Sequence, residues 1–476
     1  MFQTLKNAWK TQELKTKLLF TLLIIIIYRL GSSIPVPWVD SELVSEFFGD
    51  AFGAMQLIMG DAFSRATLFA LSVSPYITSS IIIQLLTVAI PALERMAKDG
   101  EEGKKKIATL TRIVTMAIAL VTAIGYSLTL VRPQTINGMY YVTMANYGEL
   151  KEWFVVAVMT ACFCAGAALV MWLAEKINEF GIGNGISVIL FANIIARLPD
   201  VFETLVLNII SFAKIEDIAN LIMSIVWLVL IAALLLVLVW VIVWFTDSER
   251  RIPVQYAKRV VGRKMYGGQS SNLPLKLNMA GVMPVIFANS IVSIPQTLSM
   301  IWNNVDADGY PTGINAFYQL YFNPYKPAYA VLSIVLLFAF AYFYIMISFN
   351  PVEVANNIRN NGGAVPGIRP GKPTSDYIRK ILNRITFIGA VFLCIVSEVP
   401  KIFVSIFATI ADASSLSEAP GKVITAINSF YSNGYSAFTA IAFAGTSVLI
   451  VVGVILETVR ELESQLTMRN YKGFLD

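Results

Sequence analysis

The sequence predicts an all-α polytopic membrane protein with ten transmembrane helices in two inverted five-helix halves. Three observations carry this prediction. First, 56% of the 476 residues are hydrophobic and only 14% are charged, where soluble domains carry about 25% charged residues. Second, apolar runs near the roughly 20 residues that a spanning helix needs recur ten times. Third, lysine and arginine concentrate in alternate loops. A soluble chain of this length would form roughly three domains and would need far more charge to cover its surface. With Gly 29, Pro 19 and Cys 3, the fibrous, disordered and disulfide-scaffold classes are excluded as well.

The predicted spans are 18–36, 75–90, 107–131, 152–174, 184–206, 218–245, 278–300, 328–348, 381–403 and 434–456. The first follows a basic, amphipathic stretch from Met1 to Lys17. It ends at Gly31-Ser32-Ser33-Ile34-Pro35 without a small-residue cleavage site, so it is read as a retained helix. The second span is short and follows an apolar stretch at 62–73, with Pro75 between them. Proline lacks the amide donor that a continuous helix requires, so the two are read as separate half-elements. Glycines at 181, 183 and 185 open the fifth span. They permit a tight turn but lack the G-K-[ST] ending and the preceding strand of a phosphate-binding loop.

Counting Lys and Arg sets the orientation. The loops on the side of the two ends hold 25 cations and the opposite loops hold 7. That imbalance places both termini in the cytoplasm. Ten spans then divide five and five with opposite orientation, and inverted repeats place a pathway at the interface between halves. Residues 1–206 form the N-terminal half and 207–245 the sixth helix. A cytoplasmic loop at 246–276 leads to helices seven to ten at 277–456, which include a second cytoplasmic loop at 350–380; residues 457–476 are the tail.

The chain has no histidine. This removes the commonest metal ligand and general base, and with them histidine-dependent triads and H-E-x-x-H zinc sites. Cys162, Cys164 and Cys394 lie within apolar runs and are read as packing residues. Charges inside the spans are scarce. Arg29 and Glu398 sit near outer ends, and no span has a midplane Asp, Glu or Lys. Ile186 and Leu190 share a helix face at i,i+4, as do Val73 and Ile77. Such stripes serve packing or lipid contact, and a ring of them also makes a constriction that excludes water and ions. Spacing alone does not choose between these readings.

The cytoplasmic loops carry the second signal. Residues 246–276 hold seven cations interleaved with Tyr256 and Tyr266. Val365-Pro366-Gly367-Ile368-Arg369-Pro370-Gly371 forms a shaped turn that displays Arg369. Such charges set topology, and basic loops bearing aromatics also suit phosphate-rich RNA or an acidic protein.

Several segments, in order, resemble the SecY family, the channel subunits of the Sec protein translocon. They are Ser64-Arg65-Ala66 through Pro75-Tyr76-Ile77, and Ile81-Ile82-Ile83-Gln84-Leu85-Leu86. Gly181 through Ser187, Tyr256-Ala257-Lys258-Arg259, Leu273 through Val282, Val365 through Gly371 and Gly445-Thr446-Ser447 follow. The resemblance covers the chain from about Leu18 onward. It implies a central hourglass pore whose ring falls on Val73, Ile77, Ile186, Leu190, Ile286 and Ile450, with Val73 and Leu190 departing from the family's preference for isoleucine. It implies a plug at about 61–73, and a lateral gate between helices two and three and helices seven and eight. Thr78, Thr122 and Asn278 are the candidate polar gate residues. Arg263, Lys264 and Arg369 match positions that engage the motor ATPase SecA or the ribosome.

The resemblance further implies SecE and SecG as subunits, signal sequences and nascent polypeptides as substrates, and lipid contact. It implies no DNA, no cofactor and no catalysis, in the plasma membrane of a bacterium. The alternative is a secondary transporter with an inverted-repeat fold, which calls for intramembrane ligands that this chain largely lacks. An intramembrane enzyme and a membrane protein that uses its basic loops only for docking are the further rivals.

Overall fold

The apolar runs fold as helices because a chain in lipid must satisfy its backbone hydrogen bonds internally. The computed structural model describes residues 2–41, 43–44, 61–132, 134–136, 140–142, 145–146, 148, 150–214, 218–256, 259–261, 264–266, 270–301, 313, 317, 321–322, 327–416 and 445–467. The helices of the first half are α1 (Phe2–Lys10), α2 (Gln12–Gly31), α3 (Asp61–Ser64), α4 (Ser74–Ala89), α5 (Pro91–Lys98), α6 (Gly100–Val131), α7 (Glu152–Phe180) and α8 (Gly185–Lys214). Those of the second half are α9 (Ile218–Asp247), α10 (Met283–Ile301), α11 (Pro327–Ser348), α12 (Pro351–Asn360), α13 (Lys372–Leu416) and α14, residues 445–467.

Five helical stretches among the described residues are long and apolar enough to cross a membrane: Gly100–Val131, Glu152–Phe180, Leu228–Asp247, Ala328–Asn360 and Lys372–Ile402. The bent pair α4–α5 brings this to at most six. This is fewer than the ten spans read from sequence. The apolar stretches Gly185–Ala196 and Met283–Pro295 are shorter, α2 carries Lys15, Lys17 and Arg29, and residues 434–444 lie outside the described set. α9 is apolar on every side and exposes Leu236, Trp240 and Trp244, the pattern of a helix that faces lipid. The 102° bend between α4 and α5 sits at Ile90–Pro91. Ile90 is extended there, as a residue before proline prefers, and Pro91 opens α5 where no amide donor is needed.

Three expectations about loops and boundaries need correction. First, the fold is helical, but the 246–276 stretch read as a loop carries paired strands. β1 (Gln134–Ile136) and β2 (Tyr140–Val142) form a small pair elsewhere. In the loop, β3 (Glu249–Tyr256) pairs antiparallel with β6 (Ser270–Lys276), and β4 (Arg259–Val261) with β5 (Lys264–Tyr266). β7 (Gly363–Ala364), from the second cytoplasmic loop, adds to β3 at Gln255 and Tyr256. The alternation was present in the sequence: Ile252 and Val254 are buried while Arg251, Pro253 and Gln255 are exposed. The density of charge obscured it.

Second, the 350–380 loop is mostly structured. Pro351 opens α12 behind an Asn350 cap whose Oδ1 accepts from the Val352 amide at 3.1 Å, and α13 begins at Lys372. Third, α13 continues past 403, the end of the expected ninth span, and carries Lys401. Its Nζ is 3.1 Å from Glu398 Oε1, one turn away and buried. The plug segment is helical only over Asp61–Ser64, and α10 starts at Met283, five residues later than the expected span.

The buried residues gather in two main apolar clusters. One joins α2, α4, α7 to α11, α13 and α14. The other packs Val36, Val44, Phe63, Ala66, Ala70 and Leu71 against α6 and α7. Gly166 on α7 lets that helix approach the 65–73 segment, since a Cβ there would lie 1.8 Å from the Leu68 carbonyl oxygen. Gly166→Ala is therefore expected to destabilise the purified protein by about 2 kcal/mol, as overpacking against fixed backbone does. Thermal unfolding in detergent measures this, and an unchanged midpoint would contradict the packing described.

Candidate functional site

The six ring candidates fall in or against one extended apolar cluster that runs through most of the helices. Val73, Ile77, Leu190, Ile286 and Ile450 are buried in one apolar cluster, and the half-buried Ile186 packs against it. Four segments supply them. Val73 precedes α4 and Ile77 lies one turn on, its amide donating to the Val73 carbonyl at 3.0 Å. Ile186 and Leu190 occupy the first two turns of α8, Ile286 the first turn of α10, and Ile450 lies on α14. Three of these helices therefore begin at the cluster. Pro75 falls in the first turn of α4, where its missing donor is unneeded.

The start of α8 is closed by side chains. Asn184 Oδ1 accepts from the Ile186 amide at 3.1 Å, Asn178 Oδ1 from Gly185 at 2.7 Å, Glu461 Oε2 from Gly183 at 2.8 Å and Thr21 Oγ1 from Ile182 at 3.1 Å. The amides that a phosphate would require already have partners. This agrees with the rejection of a phosphate-binding loop.

The 65–73 segment has no regular structure, yet it is almost wholly buried. Its backbone pairs with 34–36: Leu68 N donates to Ile34 O at 2.9 Å and Val36 N to Ala66 O at 3.0 Å. Ala66 and Ser72 have φ of 47° and 48°, a left-handed conformation that costs a non-glycine residue about 1–3 kcal/mol. Tyr126 and Phe63 stack at 4.6 Å between ring centroids, and the Tyr126 hydroxyl donates to the Phe63 carbonyl.

Sequence reasoning missed a buried polar trio here. The Tyr28 hydroxyl donates to Asn193 Oδ1 at 2.7 Å, and Asn193 Nδ2 donates to Ser72 Oγ at 2.9 Å. Tyr28 Oη and Ser72 Oγ lie 3.1 Å apart. One signal was available. Asn193 lies three residues after Leu190 and seven after Ile186, on the same helix face, and a polar residue in a membrane helix is a functional candidate.

At the expected gate, α10 packs directly against both α4 and α6. Thr78 and Thr122 sit on α4 and α6 with hydroxyls that donate to their own helices, to Ser74 O at 3.1 Å and to Ile118 O at 3.0 Å. Asn278 is buried in the turn before α10 and lines a cavity of about 440 Å³ with Lys276, Tyr344, Glu457 and Arg460. The side chains that join α4 to α6 are others, Ser79 and Thr115, whose hydroxyls are 2.5 Å apart.

On the basic face, Arg369 is exposed in the turn after β7, and its carbonyl accepts from Thr374 Oγ1 at 2.9 Å. Lys264 opens β5, and Arg263 lies outside the described residues. The β3–β7 pairing makes one unit of two loops that the sequence presents as separate. Burial holds the Lys276 ammonium at its base below the ordinary range, and Arg460 adds to the effect.

Comparison with known proteins places this geometry. The SecY family model matches residues 67–459. A protein translocase subunit SecY of Streptomyces coelicolor is 39% identical over 484 aligned residues, covering 100% of both chains. Among solved structures, a SecY channel studied for a plug domain that stabilises its closed state is similar at TM-score 0.59 and 16% identity, covering 94% of this chain and 92% of that one. Sec61 from the canine ribosome–channel complex of the endoplasmic reticulum is similar at 0.56 and 18%, with the same coverage. The chain belongs to the SecY family.

A seal made only of aliphatic side chains fails when they are shortened or made polar. Replacing Ile186 and Ile286 together with serine is expected to raise ion conductance through the resting channel in planar bilayers. Conductance equal to that of the unaltered channel would contradict the ring assignment.

Proposed function

We propose that the chain is the pore-forming subunit of a protein translocase, a passive conduit for unfolded polypeptides. The observation that carries this reading is the meeting of six aliphatic residues from four segments in one apolar cluster, in a chain that belongs to the SecY family. The chain makes and breaks no bonds in this role; it is a channel subunit and not an enzyme. The secondary-transporter alternative gains no support from the comparisons.

A translocating backbone cannot be exposed to lipid. In the proposed architecture, ten spans in two inverted halves enclose an hourglass pore. Val73, Ile77, Ile186, Leu190, Ile286 and Ile450 form its waist, and residues 61–73 close it at rest. Aliphatic walls suit arbitrary side chains because they offer no fixed ligand and fit by packing. Signal sequences and nascent spans leave sideways by hydrophobic partitioning, where α10 and α11 part from α4 and α6. Thr78, Thr122 and Asn278 lie along this boundary.

The energy comes from a partner. SecA or the ribosome engages the basic unit built from the hairpin and the Arg369 turn, and SecE and SecG complete the complex. The Sec61 neighbour's ribosome complex and the exposed position of Arg369 support this reading. The 25-to-7 distribution of cations supports placement in a bacterial plasma membrane with both termini cytoplasmic.

Reconstitution with purified SecA, ATP and a secretory precursor is expected to yield protease-protected precursor inside vesicles. Its absence, with ion-coupled solute uptake instead, would favour the transporter reading. In the same assay Arg369→Glu is expected to reduce SecA-driven transport at least tenfold while the channel still inserts and assembles. Normal transport by that variant would remove Arg369 from the docking surface.

A further inference from the structure

We infer that Tyr28, Ser72 and Asn193 form a latch that positions the waist residue Val73 and holds the resting channel shut; this rests on the channel reading above. The three polar groups form a closed cycle. Tyr28 donates to Asn193 at 2.7 Å and Asn193 to Ser72 at 2.9 Å. With the Tyr28 proton committed to Asn193, the 3.1 Å contact is filled by the Ser72 hydroxyl donating to the Tyr28 oxygen. Each hydroxyl thus donates once and accepts once. The cycle is sealed: Tyr28 is 0% exposed and Ser72 and Asn193 are each 2% exposed.

Its position gives it a role beyond packing. The three residues come from three elements: α2, the irregular 65–73 segment, and α8. Ser72 directly precedes Val73, and Asn193 follows Leu190 by three residues, so the cycle clamps two of the four waist segments to α2. Phe69 adds to the clamp, stacked on Tyr28 at 5.6 Å with 11° between ring planes. Moving the 65–73 segment out of the pore withdraws Ser72 from both partners. Tyr28 and Asn193 would then be left partly unpaired among Ile24, Ile77, Ile189 and Leu190. An incompletely paired polar group is costly in such surroundings, whereas a cycle replaced entirely by apolar groups of the same shape is nearly neutral for folding. That asymmetry separates the latch from a structural contact.

The test uses the channel complex carrying Tyr28→Phe, Ser72→Ala and Asn193→Leu together, reconstituted in planar bilayers beside the unaltered channel and the Ile186→Ser, Ile286→Ser channel. The triple variant is expected to melt with the unaltered complex, to show resting conductance raised about tenfold, a shift that corresponds to about 1.4 kcal/mol, and to accept precursors with weakened signal sequences. Unchanged conductance in the triple variant while the ring variant leaks would overturn the latch and leave the channel reading standing. Silence from both variants would overturn both. Should the triple variant fail to assemble, Tyr28→Phe alone decides: about a threefold rise supports the latch and no rise overturns it.

Discussion

Irregular backbone inside a membrane protein must find its hydrogen bonds within the protein, and the 65–73 segment is where this constraint governs the structure. The amides of Ala66, Thr67, Ala70 and Ser72 turn back on neighbouring carbonyls, and that of Leu68 pairs with Ile34. Gly166 lets α7 come close enough to cover it. Tyr126 secures the Phe63 end and the Tyr28–Ser72–Asn193 cycle secures the other. Because the segment is held at both ends, α4 can begin at Ser74 with Val73 and Ile77 directed into the same cluster as the first turns of α8 and α10. Without that anchorage the proposed waist would lose one of its four walls.

The cytoplasmic face follows a different logic. A hairpin and a turn from distant parts of the sequence share one small sheet with its own apolar core of Ile252, Val254, Leu275, Ile358 and Val365. Its base meets the end of α14, where Arg460 contacts Asp247 at 2.7 Å and the Thr246 carbonyl at 3.1 Å. One residue further, Glu461 holds the Gly183 amide at the start of α8. The basic face therefore connects to two of the helices that bear proposed waist residues. An exposed ion pair adds little stability, so this junction matters chiefly for geometry.

Much of this was legible in the sequence, for identifiable reasons. Long apolar runs announced α6, α7, α9 and α11, because a helix facing lipid must be apolar throughout. Pro75 announced a break, and the break stands at the start of α4. The aliphatic pairs Val73 with Ile77 and Ile186 with Leu190 were visible as stripes, but stripes serve packing as readily as a pore. Only the fold places both pairs, with Ile286 and Ile450, in or against one apolar cluster. The hairpin was hidden because a two-residue period in a strongly charged stretch reads as a solvated loop. The polar trio was hidden because its members are separated by 44, 121 and 165 residues, and no local pattern links a tyrosine in one helix to an asparagine in another.

The most direct test of the central claim asks what a polypeptide touches as it crosses. A precursor arrested partway and carrying a photoreactive side chain would be presented to channels labelled one site at a time. The account predicts adducts at Ile186, Leu190, Ile286 and Ile450, and none at the lipid-facing Leu236 or Trp240. Adducts at Leu236 or Trp240 with none at the four waist positions would contradict it.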